Sequence, residues 1–295
     1  MTEVRIDSLL PAEMATRAEY LGVRKAEMPA FTMLMLSILA GAFIALGAIF
    51  ATTVAAGGMT ITGADGTVAF STGLPYGITR LLTGLVFCLG LILVVVGGAE
   101  LFTGNNLIVM AWASGKVTGR ALLRNWGIVY VGNFFGSVAT AAVMFFTRQY
   151  TFGADSVGIA ALRTAAAKCD LGFFQAIALG ILCNALVCLA VWLTYSARTT
   201  IDKIVSIVFP ITAFVAAGFE HSIANMYFIP YALIVKGFDP DYMAKVGDKI
   251  PNLDALTWNA FFINNLFPVT IGNIIGGVVF VAAIYWVVFL RIKKD

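Results

Sequence analysis

His221 is the single histidine of the chain, and it follows Glu220 directly inside the apolar run AAGFEHSIANMYF, residues 216–228. An unperturbed imidazole titrates near neutral pH, so the pair is equipped for proton transfer. Two readings of His221 stay open: a residue facing a pathway, or a neutral imidazole hydrogen-bonded between helices. Metal or haem ligation needs further ligands. No second histidine is present, and Cys88, Cys169, Cys183 and Cys188 are scattered without CxxC spacing. They read as buried free thiols that behave as small hydrophobes. A membrane enzyme would need a nucleophile–base pair or a metal cluster, which one histidine does not supply, so no catalytic residue, metal or cofactor is assigned. Lys168, in RTAAAKCDLGFF, reads from its position alone as an interfacial lysine whose amine snorkels outward.

The elements that must position these residues follow from composition. The chain has 295 residues, 60% of them hydrophobic and 12% charged, with a mean hydropathy of +0.91. A soluble domain carries about 25% charge, so this is a polytopic membrane protein. The net charge of +3 includes no basic stripe, and nucleic acid is excluded as a partner. About 20 apolar residues cross a bilayer core as a helix. Six spans are expected, near 30–56, 76–111, 125–146, 171–195, 204–235 and 259–290. Residues 1–29 precede them as an amphipathic helical segment at the cytoplasmic membrane face, and 30–292 form one pore domain. With both termini cytoplasmic, the inner segments hold twelve basic residues, among them Arg5, Lys293 and Lys294, and the outer loops hold six. That count satisfies the positive-inside rule and places the protein in the cytoplasmic (inner) membrane.

The second and fifth spans are too long for simple crossings, and they share a frame. Gly98, Glu100 and Asn105 recur as Gly218, Glu220 and Asn225, each 120 residues on. NWGIVYVGNFFGSV, from Asn125, recurs as NLFPVTIGNIIGGV, from Asn265, with six identities 140 residues apart. Each half, about 30–146 and 171–290, holds three spans, an odd number. The halves therefore cross in opposite senses as an inverted repeat. The expected fold is an all-α membrane protein of six transmembrane helices, aquaporin-like, with helices 2 and 5 broken at mid-membrane. Non-helical backbone at that depth is tolerated only inside protein or along a cavity. Glu100, Glu220 and Asn105 fit a structural role at the breaks, the glutamates accepting backbone N–H groups or pairing with a neighbouring helix. Phe87, Leu91, Leu101, Phe102 and Phe214 flank the breaks. Taken singly they read as core or lipid-facing residues; along a pore they would form hydrophobic constrictions.

GAELFTGNN, GILCNALVCLAVW, GFEHSIANM and NNLFPVTIGNIIGG together resemble the formate/nitrite transporter family, over about residues 25–292. The resemblance implies an aquaporin-like protomer, a homopentamer with one pore in each protomer, and transport of small monovalent anions such as formate, nitrite or hydrosulfide. His221 resembles the central pore histidine, and Thr103 the residue that hydrogen-bonds it or gates beside it. Leu101 with Phe214 resembles one constriction, and Phe87, Leu91 and Phe214 the other. Lys168 resembles a vestibule lysine that attracts anions, Asn184 and Asn225 polar residues of the central chamber, and Glu220 the buried glutamate that holds the broken helix. Gly104-Asn105-Asn106 departs from the formate-channel pattern, and LFTGNN and GILCN resemble more the hydrosulfide and formate-dehydrogenase-linked branches, whereas Phe87 keeps to the formate-channel pattern. Formate is the expected substrate, with nitrite or hydrosulfide as alternatives within the family. A sodium-coupled anion carrier is the alternative from another class, separable by flux with and without a sodium gradient.

Overall fold

In the computed structural model, residues 8–57, 60–62, 68–71 and 73–291 are described. Arg5, Lys293 and Lys294 of the charge count, and residues 58–59, 63–67 and 72 of the 57–75 loop, lie outside them. The helices run α1 (Pro11–Ala26), α2 (Ala30–Ala55), α3 (Tyr76–Gly97), α4 (Val109–Ala113), α5 (Gly119–Phe146), α6 (Ser156–Cys169), α7 (Phe173–Ser196), α8 (Thr200–Ala217), α9 (Ser222–Phe238), α10 (Pro240–Val246), α11 (Phe267–Gly277) and α12 (Ile284–Phe289). A two-stranded antiparallel hairpin, β1 (Thr60–Thr62) and β2 (Val68–Ser71), joins α2 to α3. The stretch Ala260–Phe289 is one continuous span in which π-helical turns flank α11.

Among the described residues six helices are long and apolar enough to cross a membrane: α2, α3, α5, α7, α8 and the Ala260–Phe289 stretch. The second expected span breaks after α3 and resumes as a 3-10 turn, Gly104–Ile108, and α4. The fifth breaks between α8 and α9. Gly98 and Gly218 end α3 and α8 with φ of 78° and 79°. That left-handed conformation is open to glycine without strain, which explains why these glycines recur 120 residues apart.

The repeat is packed as well as spelled. α2 lies on α5 in the first half, and α7 lies on α11 in the second. A Cβ at Gly136 would overlap the Ile38 carbonyl of α2; one at Gly276 would overlap the Ile181 carbonyl of α7. Spans in lipid gain little from burying apolar surface, so close backbone approach through small residues supplies the packing. The two Gly-x3-Gly stripes, 132/136 and 272/276, are these contacts.

α1 departs from the expected helix on the membrane face. Met14, Ala15, Ala18, Gly22 and Ala26 are buried, against Leu107, Ile108, Met110 and Ala111 of the resumed half-helix. It is tied down by polar contacts too: Glu19 pairs with Lys116, Arg17 donates to the Tyr195 carbonyl at 3.0 Å, and Arg124 donates to the Ala26 carbonyl at the end of α1 at 3.4 Å. The small residues on one face of α1 let it pack closely on the resumed half-helix and on α7.

Candidate functional site

At the first break Asn133 of α5 takes the place of a helical turn. Its Oδ1 accepts the Phe102 N–H at 3.0 Å, and its Nδ2 donates to the carbonyls of Ser37 (2.8 Å) and Glu100 (2.9 Å). Asn273 of α11 does the same at the second break. It accepts the Ser222 N–H at 2.9 Å and donates to the Gly180 and Glu220 carbonyls, both at 2.9 Å. The Glu100 N–H donates to Leu36 O at 3.2 Å, and the Glu220 N–H to Leu179 O at 3.3 Å. The glutamate carboxylates therefore do not accept the freed backbone N–H groups. An amide can donate and accept at once, so it satisfies both kinds of freed group, whereas a carboxylate only accepts. The 140-residue asparagine repeat carried this signal.

The carboxylates bind cations. Glu100 accepts from Lys25 Nζ of α1 at 2.6 Å and from Asn105 Nδ2 at 2.7 Å. Glu220 accepts from Lys168 Nζ of α6 at 2.7 Å, from Asn225 Nδ2 at 2.7 Å and from Asn265 Nδ2 at 3.2 Å. Asn125 Nδ2 holds the Lys25 carbonyl at 3.0 Å, and Asn265 Nδ2 holds the Lys168 carbonyl at 2.9 Å. Lys168 is thus no free interfacial lysine; its head group is 15% exposed and paired. Lys25, not singled out in the sequence, is its counterpart. The two frames differ in two bonds: Lys25 also donates to Asn105 Oδ1 at 3.0 Å, while Asn225 Oδ1 is buried and has no partner, and Asn265 also donates to Glu220, which Asn125 does not do to Glu100.

His221 joins the two breaks. It is 3% exposed. Its Nδ1 caps α9 by accepting the Ala224 N–H at 3.1 Å, and its Nε2 lies 2.9 Å from Thr103 Oγ1. A lone pair at Nδ1 puts the ring's proton on Nε2, directed at Thr103. The Phe214 ring lies 5.9 Å from the imidazole and meets Phe87 edge-on at 5.7 Å.

A cavity of about 570 Å³ opens above this floor on the side where α2 ends and α3 begins. It brings together Phe87, Lys168, Phe214, Glu220, His221 and Asn225, and adds Arg80 and Arg163 to its wall. Leu91, Leu101, Phe102, Thr103, Glu100, Asn105 and Asn184 lie outside its lining. Leu91 and Leu101 are buried at 2% and 3% exposure. Phe102 turns towards α5, edge-on to Tyr130 at 4.9 Å and to Trp126 at 5.9 Å. Asn184 of α7 ties both breaks together, donating to Asn273 O at 2.7 Å and to Asn106 Oδ1 at 3.1 Å. A larger open cavity of about 730 Å³, bounded by Arg148, Tyr150, Asp239 and Tyr242, contains none of the expected residues. Among the described residues no three His, Cys, Asp or Glu side chains converge as a metal site.

Residues 12–287 match the formate/nitrite transporter family. The chain is 43% identical to the formate channel FocA of Escherichia coli K12, over 97% of this chain and 96% of that one. It is 41% identical to the formate channel FocA of Haemophilus influenzae, over 92% of each. A solved structure of a pentameric formate channel with formate bound superposes with a TM-score of 0.78 at 44% identity, covering 89% of this chain and 98% of that one.

Proposed function

The chain belongs to the formate/nitrite transporter family, whose members are channels and transporters rather than enzymes, and from that premise we propose that it conducts small weak-acid monoanions, formate foremost, through a pore in each protomer of a homopentamer. The relatives named for formate support the substrate, and the solved pentamer supports the assembly. The lysine and arginine distribution supports cytoplasmic termini, in which case the cavity faces outward as the entry vestibule.

One observation carries the mechanism: the Thr103–His221 hydrogen bond at the vestibule floor, just below the Phe87–Phe214 pair. A bare anion entering that apolar slit would lose its hydration without compensation. Formate that takes a proton becomes neutral formic acid and crosses at lower cost. Chloride has no such route. The proton arrives from vestibule water through His221. Charging the ring places a proton on Nδ1, which releases the Ala224 N–H, so the imidazolium is a short-lived carrier and the capped neutral ring is the resting form. Thr103 holds Nε2–H towards the path in that resting form. Asn105 and Asn106, which depart from the formate-channel pattern, are committed to the frame: Asn105 to Glu100 and Asn125, Asn106 to the Phe102 carbonyl and Asn184. Their departure therefore leaves formate in place as substrate.

Proteoliposome uptake of formate, nitrite, hydrosulfide, acetate and lactate at acidic and neutral pH tests the reading. Formate uptake that accelerates on acidification, and loses that acceleration in His221→Phe, is expected. Proton-linked uptake unchanged in His221→Phe would sink the relay.

A further inference from the structure

Four charged groups line the vestibule: Lys168, Glu220, Arg80 and Arg163. Lys168 and Glu220 neutralise each other at 2.7 Å, so together they present a dipole rather than a net charge. The vestibule's uncompensated positive charge therefore resides on the arginines. Arg163 is exposed at the rim and donates twice to the Lys249 carbonyl, at 2.9 and 2.8 Å. Arg80 is deeper and half-buried on α3, two turns before Phe87. Its Nε donates to Ala216 O at 3.0 Å and its Nη2 to Val215 O. These are the last carbonyls of α8, immediately after Phe214. A guanidinium has five N–H donors, and two of them are engaged here, both by neutral carbonyls. No carboxylate among the described residues pairs with it.

We propose that Arg80 is the anion-capturing group of the vestibule: a small carboxylate docks on its three unused N–H donors before it reaches Lys168, Glu220 and His221. The proposal rests on the transport reading above. A guanidinium presents parallel donors that match both oxygens of a carboxylate. The half-buried wall strengthens the contact relative to bulk water. The α8 C-terminus offsets only about half a charge, so Arg80 keeps a net attraction for anions while its two spent donors hold it still. Phe87 and Arg80 share a face of α3, so the capture point sits directly over the Phe87–Phe214 constriction. The same contacts make Arg80 a clamp on the turn carrying Phe214, and the test must separate capture from clamping.

Formate uptake into proteoliposomes at neutral pH, measured against formate concentration, does so. Arg80→Gln is expected to raise the half-saturating concentration about tenfold with a maximal rate within about twofold of wild type, the loss of one charge-assisted contact. Arg80→Lys, which keeps the charge, is expected to stay within about threefold in half-saturation. Wild-type half-saturation in Arg80→Gln would overturn the assignment. So would equal losses of maximal rate in both variants, the signature of a clamp alone. An absence of formate flux in wild type would instead overturn the transport reading. If Arg80→Gln does not assemble, solid-state NMR decides: ¹³C-formate dephased by ¹⁵N-arginine in wild type, and not in Arg80→Lys, is expected. No dephasing in wild type, or equal dephasing in Arg80→Lys, refutes capture.

Discussion

Tyr130 and Thr270, 140 residues apart and equivalent in the repeat, hydrogen-bond each other through their side-chain hydroxyls at 2.8 Å. Equivalent residues that touch must straddle the pseudo-two-fold axis. The axis therefore passes between α5 and α11, and the main side-chain anchors at one break have images at the other: Asn133 with Asn273, Glu100 with Glu220, Lys25 with Lys168. His221 breaks the symmetry, because Leu101 stands at its equivalent position. A symmetric frame thus holds one asymmetric titratable group at the joint between its halves.

The close approach of α5 to α2 and of α11 to α7 predicts matched sensitivities. Gly136→Ala and Gly276→Ala each push a methyl into a backbone carbonyl, and each is expected to destabilise by about 1–3 kcal/mol or more. Gly127→Ala, which meets nothing within 4 Å, is the control. Thermal unfolding of the purified protein in detergent reads all three; equal midpoints would refute the packing argument.

The ion pairs predict a non-additive cycle. Removing one partner of a buried pair strands the other, at about 3–5 kcal/mol. Lys168→Met is expected to destabilise more than Lys168→Met combined with Glu220→Gln, because the double variant leaves no stranded charge. The Lys25 and Glu100 cycle should follow the same order, with a smaller effect, since Lys25 is 30% exposed against 15% for Lys168. Additive melting shifts at either pair would show that the charges do not interact.

The cap that His221 places on α9 can be separated from its proposed proton role. Asn is an effective N-cap, so His221→Asn retains an acceptor for the Ala224 N–H while losing the titratable ring. It is expected to melt near wild type with formate flux that no longer responds to acidification. His221→Phe loses both, and should melt lower by about 1 kcal/mol, the worth of a cap. Thr103→Val leaves the Nε2–H without its partner, a loss of about 1–3 kcal/mol, and should slow formate flux; Thr103→Ser should restore it. Wild-type pH dependence in His221→Asn would separate the ring from the proton.

Asp239, at the end of α9, anchors the loop that follows it. The Tyr150 hydroxyl at 2.7 Å, the Tyr242 N–H and the neighbouring Arg148 hold its carboxyl below the usual carboxylate range. A depressed folded-state value means the anchoring is full above the ordinary carboxylate range and fades as pH falls through the folded value. Hydrogen-exchange protection of residues 239–257, the measured rate set against the intrinsic rate at each pH, should therefore fall in acid below the ordinary range and stay high near neutrality. Asp239→Asn should show the lower protection at both; protection in wild type that does not change with pH would contradict this.

Much of the architecture is local, and local information is written in the chain. Hydropathy marks the six spans because a helix in lipid must satisfy its own backbone. The 120- and 140-residue identities mark the inverted repeat and its two breaks, and Glu220-His221 marks the place where the second break carries a titratable group. The third element of each half escapes the same reading: Lys25 and Lys168 stand 143 residues apart, a spacing that loop lengths shift, and nothing nearby links them. Only the folded chain decides which groups meet. It gives the freed N–H groups to Asn133 and Asn273, turns Phe102 away towards α5, and draws α1 onto the resumed half-helix. It sets Arg80 over Phe214 from a helix whose start is 124 residues before that of α8. Those choices come from side-chain direction and helix crossing, and contacts between elements distant in sequence carry no periodic signature. The ring of His221 is the clearest case: its residue type announces a proton, and the cap at Ala224 and the hydroxyl of Thr103 decide which nitrogen holds it.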